Sequence, residues 1–283
     1  MNLRNFSTLG RPLDMKYATN RAIAALVGLA MVALFVIQWT NAMPLLSALA
    51  WSFQAGIGVF LAWAIARELD PDHDLSAFVS AALMLALLWL FPLPNLLILF
   101  WLMLLIRVLN RSVGLPPTWM DLVGIFALTA WLCWQEGWMY GLLTTLVFLL
   151  DRFLLKSNHK IAWPFLISLG ITVLFVGLNP SLKLANFDQT LFIASGMILI
   201  FFVLTTAISE KIKSVGDETG ETLSEKRVKA AQWTAAFVAL VLLLLQGETG
   251  FFNVLALWTS MTGVILFMLW RRSMALFADR RSG

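Results

Sequence analysis

Charge is what this chain has least of. Asp, Glu, Lys and Arg make up 13% of its 283 residues, about half the roughly 25% of a soluble domain. So few charges cannot clothe an ordinary water-facing surface. The net charge of +4 is no sign of a nucleic-acid partner, because basic residues on cytoplasmic loops are what membrane insertion requires. Cysteine is nearly absent. Cys133 stands alone inside an apolar run, which rules out an intrachain disulfide and leaves the redox compartment open. Histidine is limited to His73 and His159. With no HExxH, no GxSxG and no glycine-rich phosphate loop at a strand-to-helix turn, metalloprotease and serine-hydrolase chemistry have no residues to stand on. No ionisable group lies near the middle of any apolar run. That argues against a carrier driven by protons or ions through a buried carboxylate, but leaves uniporters and carriers built on backbone carbonyls. Strand-type alternation, low-complexity tracts and internal repeats are missing too.

What the chain has instead is apolar length. Hydrophobic residues are 60% of the total and the mean hydropathy is +0.84. Several runs approach the roughly 17–20 residues that cross a bilayer core. The expected fold is all-α, a polytopic bundle of about ten transmembrane helices. A polar tail at 1–21, whose Met1, Leu3, Phe6 and Leu9 suit a membrane surface, precedes a single membrane domain at 22–270. A basic tail at 271–283 follows. The spans are 22–39, 43–66, 75–91, 95–109, 118–134, 137–150, 161–178, 188–208, one entering from the loop 209–229 and ending at Gln246, and 251–270. A cleaved leader ending at Ala48-Leu49-Ala50 is the competing reading of the first span, but the residues before it are apolar and a second span follows at once. The stretch 75–106, broken by Pro92 and Pro94, reads as two short spans joined by FPLPN or as a re-entrant hairpin. Either leaves every other loop on its side. Thr118 with Asp121, and Thr222 with Glu225, have capping-box spacing.

The segment 209–229 fixes the topology, as the one long polar stretch. With the N-terminus in the cytoplasm, the inner loops hold Arg67, Arg107, Arg111, Arg152, Lys156, Lys160, the five basic residues of 209–229 and Arg271, Arg272, Arg280 and Arg281. Every Lys and Arg is then inside except Lys183. Both termini are therefore expected in the cytoplasm of a bacterial-type inner membrane. Trp39, Trp134 and Trp138 would mark the outer interface, and Trp119, Trp163, Trp233 and Trp270 the inner one. The tail, with four arginines around Leu276 and Phe277, is expected to favour anionic lipid.

Polar groups inside the spans are neutral. Gln54, close to Ser52, Gly56 and Gly58, is the best candidate for a lined cavity, since an amide in hydrocarbon needs a partner. Ser52 itself, and Ser260 and Thr262 in the last span, are the other candidates. Helix packing explains the same small and hydroxylated residues, including Thr259, Gly263, Ser195, Gly196 and the GxxxG pair Gly137 and Gly141.

Two acidic joints face the cytoplasm in this reading. Asp70, Asp72 and Asp74 follow the second span, with DxxxD spacing between the outer two. Asp217 and Glu221 make a DxxxE in the long loop. Carboxylates four apart share a helix face and can hold Mg²⁺, which in turn holds a diphosphate. Arg67, Lys213, Lys226 and Arg227 would neutralise the remaining charge. Solvated loops explain the same residues, with Asp70-Pro71 as a turn and the long loop as a helical surface laced with i,i+4 pairs.

Two cytoplasmic acidic motifs, the first after span two, resemble those of the intramembrane prenyltransferases of the UbiA type. The run Gly216-Asp217…Gly220…Thr222-Leu223…Ala230-Ala231 is similar to their second motif region. The resemblance covers these two loops. It departs from the family at Arg67-Glu68, where Asn-Asp belongs, in the two rather than three spans after the second motif, and in a longer spacing between motifs. It implies a Mg²⁺-dependent enzyme acting on a prenyl diphosphate. In size alone, ten spans in about 280 residues resemble the drug/metabolite-type transporters. The leading expectation is a permease-like or accessory membrane protein handling a small solute or lipid. It needs no cofactor, sits in the lipid bilayer, and has room for a membrane-protein partner.

Overall fold

The computed structural model describes residues 7–10, 13–154, 162–180, 185–186, 188–209 and 211–282, the side chains of 276 and 278–282 excepted. Met1, Leu3, Arg4, Phe6, Arg11, Lys156, His159, Lys160, Lys183 and Glu210 lie outside these residues, as do the side chains of Leu276, Arg280 and Arg281.

The described residues form ten helices: α1 (Ala18–Thr40), α2 (Leu45–Leu69), α3 (Asp74–Leu87), α4 (Leu96–Asn110), α5 (Trp119–Glu136), α6 (Met139–Leu154), α7 (Trp163–Leu178), α8 (Gln189–Ala207), α9 (Glu225–Asn253) and α10 (Leu255–Ser282). Among the described residues there is no strand, only one isolated antiparallel bridge between Val215 and Thr222. Four helices, α1, α2, α8 and α9, are long and apolar enough to cross a membrane; α3, α4 and α7 are shorter apolar helices. The apolar runs thus become helices with ends close to those expected, because a helix satisfies its backbone within itself wherever the sequence stays apolar.

The ends that differ have local causes. The capping box of α5 forms, with Thr118 accepting from the Asp121 N–H. The one expected at Thr222 does not: Thr222 pairs with Val215, and α9 starts at Glu225. Helix α9 runs past Gln246 through a break at Gly247, where φ is +63°. A side chain there would be strained and would come within 2.7 Å of the Asn186 carbonyl. The basic tail continues α10 as helix to Ser282.

Within the stretch read as one domain, the chain packs as two compact units. The first comprises Met1–Pro12, Phe100–Asn186 and Glu210–Gly247; the second comprises Leu13–Leu99, Phe187–Ser209 and Glu248–Gly283.

In the second unit α2 is central, packed on α1, α3 and α10, while α10 also packs on α3 and α8. Small residues make this possible. Ala48, Ser52, Ala55, Gly56, Val59, Ala62 and Ala66 are all buried on α2. Gly263 of α10 lies so close to α3 that a Cβ would strike the Ser80 hydroxyl and come within 2.8 Å of its backbone nitrogen. Contact of this kind holds membrane helices together where lipid removes the hydrophobic drive. Leu29, Val32, Leu46 and Phe53 are exposed, as lipid-facing positions would be.

In the first unit α5, α6 and α7 pack on one another. Trp101 donates through Nε1 to Thr129 (3.2 Å) and Thr144 (3.1 Å), which are 3.0 Å apart. Of the GxxxG pair, Gly141 packs tightly on Thr172 of α7, whereas Gly137 meets nothing and serves as the positive-φ cap of α5. Residues 7–10 do not lie loose. Asp121 accepts from the Thr8 and Leu9 N–H groups (2.9 and 3.4 Å) and from the Ser7 and Thr8 hydroxyls, and Arg107 donates to the Leu9 carbonyl (2.7 Å). Leu9, expected on a membrane surface, is buried as a result. The loop before α9 is not a helical surface. It is a tight hairpin closed by Gly216 N–H to Glu221 carbonyl (2.8 Å) and Leu223 N–H to Ser214 carbonyl (2.9 Å), docked on Ser112 and Val113 through the Asp217 and Glu218 N–H groups (3.4 and 3.1 Å). Of the expected i,i+4 pairs, Glu225–Lys229 forms at 2.8 Å.

Candidate functional site

The second unit contains a cleft of about 420 Å³ lined by Gln54, Leu93, Pro94, Asn95, Leu96, Leu97 and Asn253. Its origin lies in the proline-broken stretch. Helix α3 stops at Leu87 and α4 starts at Leu96, so residues 88–95 leave the helical path. At 1.5 Å per residue α3 is about 21 Å long and α2 about 37 Å. The two run antiparallel from the joint at 70–73, so α3 ends level with about Ala55, well short of the far end of α2.

There the freed backbone finds partners. Gln54 donates through Nε2 to the Pro94 carbonyl (3.1 Å). The Asn95 N–H reaches the Asn253 carbonyl (3.1 Å). The Asn95 side-chain oxygen caps α4, accepting from Leu97 and Ile98 at 3.1 and 3.3 Å. One turn along from Gln54, Gly58 leaves room for the proline: a Cβ would sit 3.2 Å from Pro94 Cγ. Phe91 meets Phe251 and Phe252, with ring centroids 6.4 and 5.3 Å apart, and Phe251 stacks on Trp258 at 5.2 Å. An aromatic cluster thus stands at the break. Among the described residues no charged side chain lines the cleft.

The other cavity candidates sit elsewhere. Ser52 donates to Leu49 (3.0 Å), Thr262 to Trp258 (2.8 Å), and Ser260 both to Ala256 (2.6 Å) and across to Ala62 of α2 (2.8 Å). Each hydroxyl is satisfied by a backbone carbonyl, the arrangement of a packing residue.

The acidic joints are arranged differently from the helix faces that their spacing implied. Asp70 follows the last residue of α2 and Asp74 opens α3, so the DxxxD straddles a turn. Arg67 pairs with Asp74. His73 lies 2.8 Å from Asp70 through Nδ1 and 2.6 Å from Arg271 through Nε2. An arginine can only donate, so Nε2 accepts from Arg271 and the Nδ1–H donates to Asp70. Asp72 has polar company of its own. Asp217 and Glu221 are exposed in the hairpin, not on a helix. They belong to the first unit, whereas Asp70, Asp72 and Asp74 belong to the second. Among the described residues no group of three or more His, Cys, Asp or Glu side chains is placed to hold a metal ion.

Of the proposed diphosphate cations, Lys213 and Lys226 are exposed and Arg227 is buried. Arg227 donates to Asp151 (2.8 Å) and to the Leu109 carbonyl (3.0 Å), and Arg111 joins the same carboxylate at 3.2 Å. Burial pushes the Arg111 guanidinium below its ordinary value, and the charge of Asp151 works against that.

Asn95 and Asn253 were not singled out from the sequence. For Asn95 a signal existed, an amide directly after a Pro-x-Pro break; Asn253 has none before its carbonyl is seen against Asn95. The chain Glu136–Gln246–Tyr140, with contacts of 3.2 and 3.4 Å, was equally silent. No protein-family model matches this chain, and neither a curated protein nor a solved structure matches it.

Proposed function

We propose that the protein is a multi-pass permease of a bacterial-type cytoplasmic membrane, with both termini and the 209–229 segment in the cytoplasm and a small solute bound at the Gln54 cleft. In this reading the ten apolar helices are the membrane-embedded elements. Helices α3 and α4 form a re-entrant pair entering from the cytoplasmic side. With α2 centred in a hydrocarbon core about 30 Å thick, Gln54 lies about 10 Å below the outer interface.

The observation that carries the reading is the cleft itself. Backbone leaves the helix at residues 88–95 beside three carboxamides, Gln54, Asn95 and Asn253. Non-helical backbone at membrane depth is tolerated only where protein buries it or where it lines a wet cavity. Broken helices at such depth are where transporters bind their substrates. The exposed rings of Trp39, Trp134, Trp119, Trp233 and Trp270 fit interfacial belts on either side.

The test is water access. In a Cys133→Ser background, Asn95→Cys in intact cells should react with a membrane-impermeant thiol reagent at a rate near that of a cysteine at Asn41. Cysteines at Leu46 and Phe53, facing lipid, should stay unreactive. Asn95→Cys as inert as those two would mean a dry packing defect and would end the permease reading.

A further inference from the structure

We infer that the solute handled at the Gln54 cleft is uncharged and polyhydroxylated, a small polyol of up to about sugar size; this rests on the permease reading. The argument is an inventory of what the cleft offers. Gln54 uses one N–H on the Pro94 carbonyl, which leaves its oxygen and its second N–H. Asn95 uses its side-chain oxygen on the first turn of α4, which leaves its NH₂. The Asn253 backbone carbonyl is taken by the Asn95 N–H, and its carboxamide keeps both donor and acceptor. Donors and acceptors are therefore mixed within one small space. Hydroxyls, which each donate and accept, match that mixture; carboxylates only accept and ammonium groups only donate.

Charge is excluded on separate grounds. Among the described residues no Lys, Arg, Asp or Glu lines the cleft, so an ion bound there would find no counter-charge. The N-terminus of α4 opens on the cleft and would draw an anion, but the Leu97 and Ile98 N–H groups already donate to Asn95. The remaining wall, Leu93, the Pro94 ring, Leu96 and Leu97, is apolar and suits the C–H face of a carbon chain. The volume of about 420 Å³ equals about fourteen waters at about 30 Å³ each, enough for a six-carbon polyol with some of its hydration.

Three solutes of one skeleton decide the matter: sorbitol, gluconate and protonated N-methylglucamine, with charges of zero, minus one and plus one. Their entry into proteoliposomes is followed by light scattering after an osmotic step. Sorbitol should enter at least fivefold faster than either ion and faster than into protein-free vesicles. Gln54→Leu and Asn253→Leu should each slow it about fivefold to tenfold, the loss of one hydrogen-bonding partner. Asn253→Leu leaves the Gln54–Pro94 bond in place, so it reports on the cleft even if Gln54→Leu unfolds. Entry of all three solutes at similar rates, with both variants defective, would overturn the polyol assignment and keep the permease. Sorbitol entry that ignores both variants would remove the cleft from the pathway. No entry of any solute above protein-free vesicles would sink the permease reading with it.

Discussion

Asp151 holds two arginines at once, and its removal tests whether Arg227 is structural or a ligand-binding cation. The side chains of Asp151, Arg227 and Arg111 are 13%, 10% and 18% exposed, so the charges are largely out of water. Breaking a buried pair by removing one partner costs about 3–5 kcal/mol, because the other charge is left uncompensated. Asp151→Asn keeps the shape and leaves two guanidinium groups facing each other. Residual solvent contact lowers the cost, and about 2–4 kcal/mol is expected. The triple variant Arg111→Met, Asp151→Leu, Arg227→Met removes all three charges together and should recover most of that loss. It should still fall short by about 1 kcal/mol, because Arg227 also donates to the Leu109 carbonyl at the end of α4 and methionine cannot. Equilibrium unfolding of the purified protein in bicelles, read by steric trapping, gives each value. A cost below about 0.5 kcal/mol for Asp151→Asn, in the range of an exposed pair, would refute the reasoning. A diphosphate role for Arg227 makes the opposite prediction: Asp151→Asn would free the guanidinium and raise affinity for a prenyl diphosphate.

Gly263→Ala should destabilise by about 1–3 kcal/mol through overpacking, and Ser80→Ala should not rescue it, because the added methyl meets Ser80 backbone as well as its hydroxyl; full rescue in unfolding measurements would show that only the hydroxyl was in the way. In the Cys133→Ser background, cysteines at Asn41, Lys183 and Glu248 should label from outside the cell and one at Ser214 should not; labelling at Ser214 would invert the whole map. Replacing Arg271, Arg272, Arg280 and Arg281 with glutamine in the isolated tail should weaken its binding to anionic vesicles by roughly 1 kcal/mol per residue, and unchanged vesicle co-sedimentation would dispose of that role. Millimolar Mg²⁺ with a prenyl diphosphate should raise the melting temperature no more than either alone; synergy that vanishes in Asp70→Asn and Asp217→Asn would install the metal–diphosphate reading in place of the permease.

Sequence alone determined the helices. Ten apolar runs correspond to the ten helices of the described residues, down to the Thr118–Asp121 box, because every hydrogen bond that makes a helix lies within four residues of its partner; only the ends of α9 and α10 run well past the expected ones. It also singled out Gln54, since an amide in so apolar a run demands a partner. Tertiary structure decided what that partner is. The Pro94 carbonyl lies 40 residues away, and Asn95 meets Asn253 only because α3 stops short and α9 ends beside the break. Spacing misled where a helix end fell inside the motif: Asp70 and Asp74 share a face only if the helix continues between them, and α2 ends at Leu69. Charge counting likewise placed Arg227 among free cations. Only the approach of α4, α6 and α9 showed that Asp151 and the Leu109 carbonyl already hold it.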